Sequence, residues 1–226
     1  MTNDRSYLHR LHYQITPEDY SALRVCLSTR GEAMYARSVH TMFFYSYRDR
    51  IPASNTVGGI MTAEQGGPQF SLRYYDGDPT YIILERRQGE LRTSTMVAEA
   101  ECRALLQGET DWLMYRHDPL LQEFHEGLTE KMLLPQMMLT YQQEVYSAAD
   151  LNLWVTLDTD IRASLQHMDF LDPQQLERDT EKQTGKILME VNYSDQIPDS
   201  VLCLLEETAP RRRLLRRNIS SARQKA

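Results

Sequence analysis

Arg73 and Glu85 are the residues of this chain whose types and spacing best suit chemistry. They lie in Phe70-Ser71-Leu72-Arg73-Tyr74-Tyr75-Asp76-Gly77-Asp78-Pro79 and Tyr81-Ile82-Ile83-Leu84-Glu85-Arg86-Arg87. These segments read as two antiparallel strands joined by an Asp-Gly turn. Alternation places Ser71, Arg73 and Tyr75 on one face of the first strand, and Ile83, Glu85 and Arg87 on one face of the second. A buried apolar face would not carry Arg, Glu and Arg at period two. Guanidinium groups with a carboxylate among them are what a polyphosphate and its metal would need.

Such side chains need strands to line them up. Strand patterns run over Tyr7–Gln14, Tyr35–Tyr47, Gln69–Asp76, Thr80–Arg87, Met137–Gln143, Asn152–Asp158 and Ile187–Tyr193. Helix patterns interrupt them. Thr16-Pro17-Glu18-Asp19 supplies a cap, an N1 proline and an acidic first turn ahead of Tyr20, Leu23 and Leu27. Thr95–Gln107 has apolar residues in rough helical order with Gly108 as a stop, and Asp118-Pro119 opens a helix striped by Leu120, Leu121, Phe124 and Leu128. A further helix is expected over Asp199–Glu207 and a long loop over Pro52–Pro68. Antiparallel strands with peripheral helices make the chain α+β, and the number and length of the strands suit a closed barrel more than a sandwich, two forms that strand pattern alone does not separate.

Composition narrows the setting. The net charge of −7 conceals a basic end: residues 211–226 carry seven basic side chains and no acidic one. The preceding 210 residues then hold 18 basic against 32 acidic residues, a charge of −14. That balance excludes a broad nucleic-acid surface on the main body, so any anion site there must be local and enclosed. The basic end is expected to be a frayed helix or disordered, and a candidate contact for a membrane surface or protein partner. No apolar run reaches the roughly 18–20 residues of a membrane span. With no signal-peptide pattern after Met1, the expected location is the cytoplasm. Cys26, Cys102 and Cys203 lack metal-ligand spacing, and neither a phosphate-binding Gly-rich loop nor a Gly-x-Ser-x-Gly nucleophile motif occurs.

The other strands repeat the two-faced pattern. Arg10 and His12 share a face, as do Arg37 and Val39, then Trp154, Thr156 and Asp158, then Leu188, Glu190 and Asn192. Open sheets also show such faces, because the polar side is then solvated. Tyr7-Leu8-His9-Arg10-Leu11-His12-Tyr13 resembles the Tyr-Arg-His-Glu-Leu-Lys-Tyr opening of vacuolar transporter chaperone (VTC) domains, the polyphosphate polymerase branch of the triphosphate tunnel (CYTH-like) superfamily. Arg37-Ser38-Val39-His40, Leu72-Arg73-Tyr74-Tyr75-Asp76-Gly77-Asp78, Ile82-Ile83-Leu84-Glu85, Val155-Thr156-Leu157-Asp158 with Ile161-Arg162, and Leu188-Met189-Glu190-Val191-Asn192-Tyr193 resemble further motifs of that family, in family order.

The resemblance implies an antiparallel β-barrel whose lumen binds triphosphate, with residues 1–209 as the tunnel domain and 210–226 as a basic tail. It implies phosphate contacts from Arg10, His12, Arg37, Arg73, Arg87 and Arg162, and a Mn²⁺ or Mg²⁺ ion on Glu85 and Glu190. The implied reaction is transfer of the ATP γ-phosphoryl group to polyphosphate, which demands positioning and charge neutralisation. Yet this chain departs from the family at lumen positions. The family glutamate and lysine of the first strand are Arg10 and His12. Basic residues are replaced by Ser71, Ile83, Gln143, Trp154 and Asn192. Each lost charge-assisted contact costs about 1.5–3 kcal/mol in a desolvated site. The alternative expectation is therefore a catalytically silent relative that binds a polyanion or nucleotide, or serves as a scaffold. In either case structural ion pairs are the competing role for Arg37, Arg73, Glu85 and Glu190.

Overall fold

Phe70, Leu72 and Tyr74 are each at most 1% exposed, while Arg73 and Tyr75 between and beyond them are part-exposed, so the strand alternates as its sequence dictates. This strand belongs to a computed structural model that describes residues 9–29, 33–46, 68–88, 91–148, 153–164, 169–179, 181–182, 187–193 and 213–219. The expected loop over Pro52–Pro68 (save Pro68 itself) and the expected helix over Asp199–Glu207 lie outside these residues.

The strands are β1 (His9–Ile15), β2 (Ala33–Ser46), β3 (Gln69–Tyr75), β4 (Asp78–Gln88), β5 (Leu91–Ala98), β6 (Leu133–Ala148), β7 (Leu153–Ser164), β8 (Glu181–Lys182), β9 (Ile187–Tyr193) and β10 (Arg213–Ile219). The helices are α1 (Pro17–Thr29), α2 (Glu99–Leu106), α3 (Trp112–Tyr115), α4 (Pro119–Glu130) and α5 (Pro173–Asp179). The sheet runs β10-β1-β9-β7-β6-β2-β3-β4-β5, with β8 beside β7. Each of these pairs is antiparallel. The α+β architecture with an antiparallel tunnel is the expected one. The hydrogen-bonded ladder itself is open: among the described residues no pairing joins β5 to β10.

Local chemistry explains the element ends. Asp76 and Gly77 have φ of 55° and 67°, the left-handed pair that a two-residue hairpin turn requires. The Asp76 carboxylate accepts from the Ser38 amide at 3.0 Å, tying the turn to β2. Thr16 Oγ1 accepts from the Asp19 amide at 3.2 Å, and Asp118 accepts from the Leu120 amide at 2.8 Å, so both expected N-caps form.

The stretch expected as one helix over Thr95–Gln107 divides instead. Thr93, Ser94 and Thr95 favour the strand β5. Glu101 then reaches back to the Ala98 amide at 2.9 Å and starts α2 only at Glu99. The basic end also differs from expectation: Arg213–Ile219 is a strand, paired with β1 from His9↔Ile219 to Gln14↔Arg213. With β9 on one side of β1, a bare row of backbone donors and acceptors would face outward on the other, and β10 pairs it.

Two apolar layers hold the outer face. Beneath α2–α5, Met42, Phe44, Phe70, Leu72, Ile82 and Leu84 pack against Leu113, Leu121 and Phe124. Beneath α1, Leu23 and Leu27 cover Leu11, Val155, Leu157 and Val191. Glu144 pins α1 to β6 by accepting from Tyr20 Oη at 2.9 Å, with Arg24 Nε 3.3 Å away. Filling both outer layers leaves the opposite face of the sheet to line a tunnel. No helix among the described residues is long and apolar enough to cross a membrane.

Candidate functional site

Strand registry carries the charged faces to one place. Arg37 of β2 opposes Gln143 of β6, which opposes Asp158 of β7. Ser71 of β3 opposes Glu85 of β4, Arg87 of β4 opposes Arg92 of β5, and His12 of β1 opposes Glu190 of β9. All of these side chains line a single cavity of about 120 Å³, together with Arg73, Tyr141, Trp154 and Thr156.

The cavity has two unlike walls. The strands β2 to β5 each contribute an arginine: Arg37, Arg73, Arg87 and Arg92. The wall of β6, β7, β9 and β1 contributes Gln143, Trp154, Thr156, Asp158, Glu190 and His12, with no arginine among the described side chains. The same inner face also carries an apolar cluster of Val39, Phe43, Met137, Leu139 and Leu188, of which Phe43 and Leu188 line the cavity as well. Beside the charged groups, burial raises the Tyr141 phenol above its ordinary pKa, so it stays protonated.

Arg37, Arg73 and Arg92 are each held in a defined pose. Arg37 donates from Nε and Nη2 to Gln143 Oε1 at 3.0 and 2.7 Å, and its guanidinium stacks 4.0 Å from the Tyr75 ring centroid. Arg73 donates to Thr41 Oγ1 at 3.2 Å and lies 4.0 Å from Glu85. Burial works against its charge, but Tyr141, Glu85 and Tyr75 outweigh that and hold it well above its ordinary pKa. Arg92 reaches both glutamates, 4.0 Å from Glu85 and 3.6 Å from Glu190.

Gln143 links the walls, accepting from Arg37 and donating to Asp158 Oδ1 at 2.9 Å. Burial lifts the Asp158 carboxyl to about 7, and Glu190 adds to the rise, while the Gln143 hydrogen bond, Arg73 and Arg37 pull it down. Asp158 therefore sits half-protonated near neutrality.

Of the residues expected from the sequence, His12, Arg37, Arg73, Arg87, Glu85 and Glu190 line this cavity. Arg162 does not. It lines a separate cavity with His40, Thr140 and Gln174, and its Nε is 3.5 Å from Asp160. A register shift lies between Thr140 and Gln142 in the β6–β7 pair, next to the Thr140↔Arg162 pairing. The backbone of Arg10 opposes Asn192, and its side chain lies outside the described residues. Arg92 escapes the sequence reading, because its segment lacks an apolar stripe. The signal that could have found it is the alternation of Arg92, Ser94 and Met96 against Leu91, Thr93, Thr95 and Val97.

The donor set suits a divalent ion poorly. No group of three His, Cys, Asp or Glu side chains able to hold a metal occurs among the described residues. Glu85 faces Arg73 and Arg92, and Glu190 faces His12 and Arg92, so both carboxylates already meet cations of the protein.

A family model described as the VTC domain matches residues 61–212. No curated protein matches the chain. Among solved structures, the chain is similar to a putative adenylyl cyclase from Hippeastrum, reported to have a dominant triphosphatase activity. The two share 12% identity and a TM-score of 0.50, over 96% of this chain and 92% of that one. A putative adenylate cyclase from Bacillus halodurans shares 11% identity and a TM-score of 0.49, over 97% of this chain and 94% of that one. At such identity the Hippeastrum likeness speaks to the fold.

Proposed function

The chain belongs to the VTC domain family, whose model spans more than half of its length, and we propose that its tunnel binds a triphosphate or the end of a polyphosphate chain without efficient turnover. The observation that carries this reading is the convergence of Arg37, Arg73, Arg87 and Arg92 on one cavity. Guanidinium forks match phosphate oxygens and cannot be deprotonated at any physiological pH. Tyr75 and Thr41 fix the poses of Arg37 and Arg73, which lowers the ordering cost when an anion arrives.

Transfer of the ATP γ-phosphoryl group to polyphosphate is the activity the family resemblance implies, and the reading separates it from binding. A transferred phosphoryl group spreads charge over its equatorial oxygens and needs neutralisation around its whole girth. Among the described side chains, the wall of β6, β7, β9 and β1 answers with Gln143, Thr156, Asp158, Glu190 and a His12 that faces Glu190, which give the developing charge less support than guanidinium groups would. Glu85 and Glu190 are engaged by arginine, so no step is assigned to a metal.

Titration calorimetry with tripolyphosphate, beside an ATP assay for polymer, tests the reading. Saturable binding that weakens in Arg73→Ala, with no polymer above background, is the expected result. Polymer formed at a rate proportional to the folded protein would instead make it a polymerase. Absence of any tripolyphosphate binding would refute the tunnel as a phosphate site.

A further inference from the structure

Arg92 stands in an unusual position: its guanidinium, from β5 on one wall, reaches Glu85 on the neighbouring strand and Glu190 on the opposite wall. We propose that Arg92 is a built-in counter-cation taking the place of a divalent ion between these two carboxylates, so that the tunnel receives its phosphate ligand metal-free. The first half stands on the geometry of Arg92 alone, whereas the second rests on the phosphate-binding reading above.

Among the described contacts, each carboxylate oxygen has a named neighbour. Glu85 Oε1 is 4.0 Å from Arg92 Nε, and Glu85 Oε2 is 4.0 Å from Arg73 Nη1. Glu190 Oε1 accepts from Asn192 Nδ2 at 2.8 Å, while Glu190 Oε2 is 3.6 Å from Arg92 Nη2 and 3.4 Å from His12 Nδ1. Two carboxylates are thus balanced by two guanidinium groups. A hard divalent ion demands oxygen ligands at roughly 2.0–2.6 Å. It would have to expel Arg92 from between the glutamates and then sit beside Arg73. Arginine keeps its proton across the accessible pH range, so no ordinary change of pH frees the two carboxylates from it.

Asn192 supports the same arrangement. A basic side chain at this position, as the family pattern has, would compete with Arg92 for Glu190. The amide instead donates to Glu190 Oε1 and leaves Oε2 for Arg92 and His12.

The test is a Mn²⁺ titration of the full chain without phosphate, read by the paramagnetic resonance of free ion, on the wild type, Arg92→Gln and Arg92→Lys. The wild type and Arg92→Lys should show no saturable site below about 1 mM, and Arg92→Gln should bind one ion on the order of tenfold more tightly. One Mn²⁺ bound by the wild type at micromolar concentration would overturn the proposal, and that titration needs no variant to fold. Arg92→Gln with an intact thermal transition and no gain in Mn²⁺ affinity would overturn it as well. Tripolyphosphate is titrated separately in EDTA. Saturable binding there supports the metal-free clause, and binding that appears only when Mn²⁺ is supplied refutes it. No binding under either condition would sink the phosphate reading and leave the Mn²⁺ titration to decide on Arg92.

Discussion

The two walls of the tunnel are built from four strands each, yet among the described side chains only the β2–β5 wall contributes arginines to the charged cavity. Its partner wall of β6, β7, β9 and β1 lines the cavity, among the described side chains, with Gln143, Trp154, Thr156, Asp158, Glu190 and His12. The outer faces differ in parallel. Behind the arginine wall lies the larger apolar layer, covered by α2, α3, α4 and α5, whereas much of the other wall is backed by α1. A close-packed backing fixes strand positions and hence the guanidinium poses. The proposed phosphate cradle is thus one-sided. One side carries guanidinium donors on a rigid support. The other carries Gln143, which bonds Arg37 and Asp158, and Asn192, which donates to Glu190.

The contrast can be broken most forcefully at Asp158. Its unfolded carboxyl titrates near the ordinary 3.8 and its folded one near 7. The unfolded chain therefore releases this proton first, and stability falls as pH rises between those values and is level outside them. Replacing it by Asn should raise the unfolding free energy at pH 8 by up to about 4 kcal/mol and flatten the loss between about pH 4 and 7, as urea titrations would reveal. An Asn variant less stable than wild type at pH 8 would contradict the assignment. The same substitution should tighten tripolyphosphate binding above pH 7, with the gap to wild type closing as the pH falls. His12, Glu190, Arg37 and Arg73 share that field in both proteins, so the difference between them isolates Asp158.

Arg73→Ala should weaken tripolyphosphate binding by about 1.5–3 kcal/mol, the value of a charge-assisted contact, as calorimetry would register. Gln143→Arg would begin to rebuild the depleted wall. It breaks the Arg37–Gln143 hydrogen bonds but places a cation beside Asp158, and a net gain of about 1 kcal/mol in anion affinity is expected at pH 8. An unchanged affinity would mean that the wall's neutrality does not limit binding. Arg86→Ala is the smallest expected effect. Arg86 lies on the outer face, paired with Glu123 at 2.8 Å, and its loss should cost about 0–1 kcal/mol of stability and leave phosphate affinity untouched.

Much of this was legible in the chain. Alternation in Ser71-Leu72-Arg73-Tyr74-Tyr75 gave the correct inner and outer faces, because burial on one side enforces period two. Caps at Thr16 and Asp118 were visible because their side chains must satisfy helix amides. The β5 strand and Arg92 were not visible, since Leu91–Ser94 is exposed and no apolar face marks it. Arg162 lines a different cavity, beside the register shift between Thr140 and Gln142, and no side-chain pattern announces that shift. The pairing of β10 with β1 depends on a backbone edge, which leaves no mark on side-chain pattern. The Arg37–Gln143–Asp158 link and the raised Asp158 pKa arise from burial and register, which composition does not encode.

The most direct test of the central claim is a crystal structure of the chain with tripolyphosphate, grown in EDTA. The phosphates are predicted to lie against the β2–β5 wall, within hydrogen-bond reach of Arg37, Arg73 and Arg87. Density on the opposite wall, or a complex that forms only with a metal ion between Glu85 and Glu190, would contradict it.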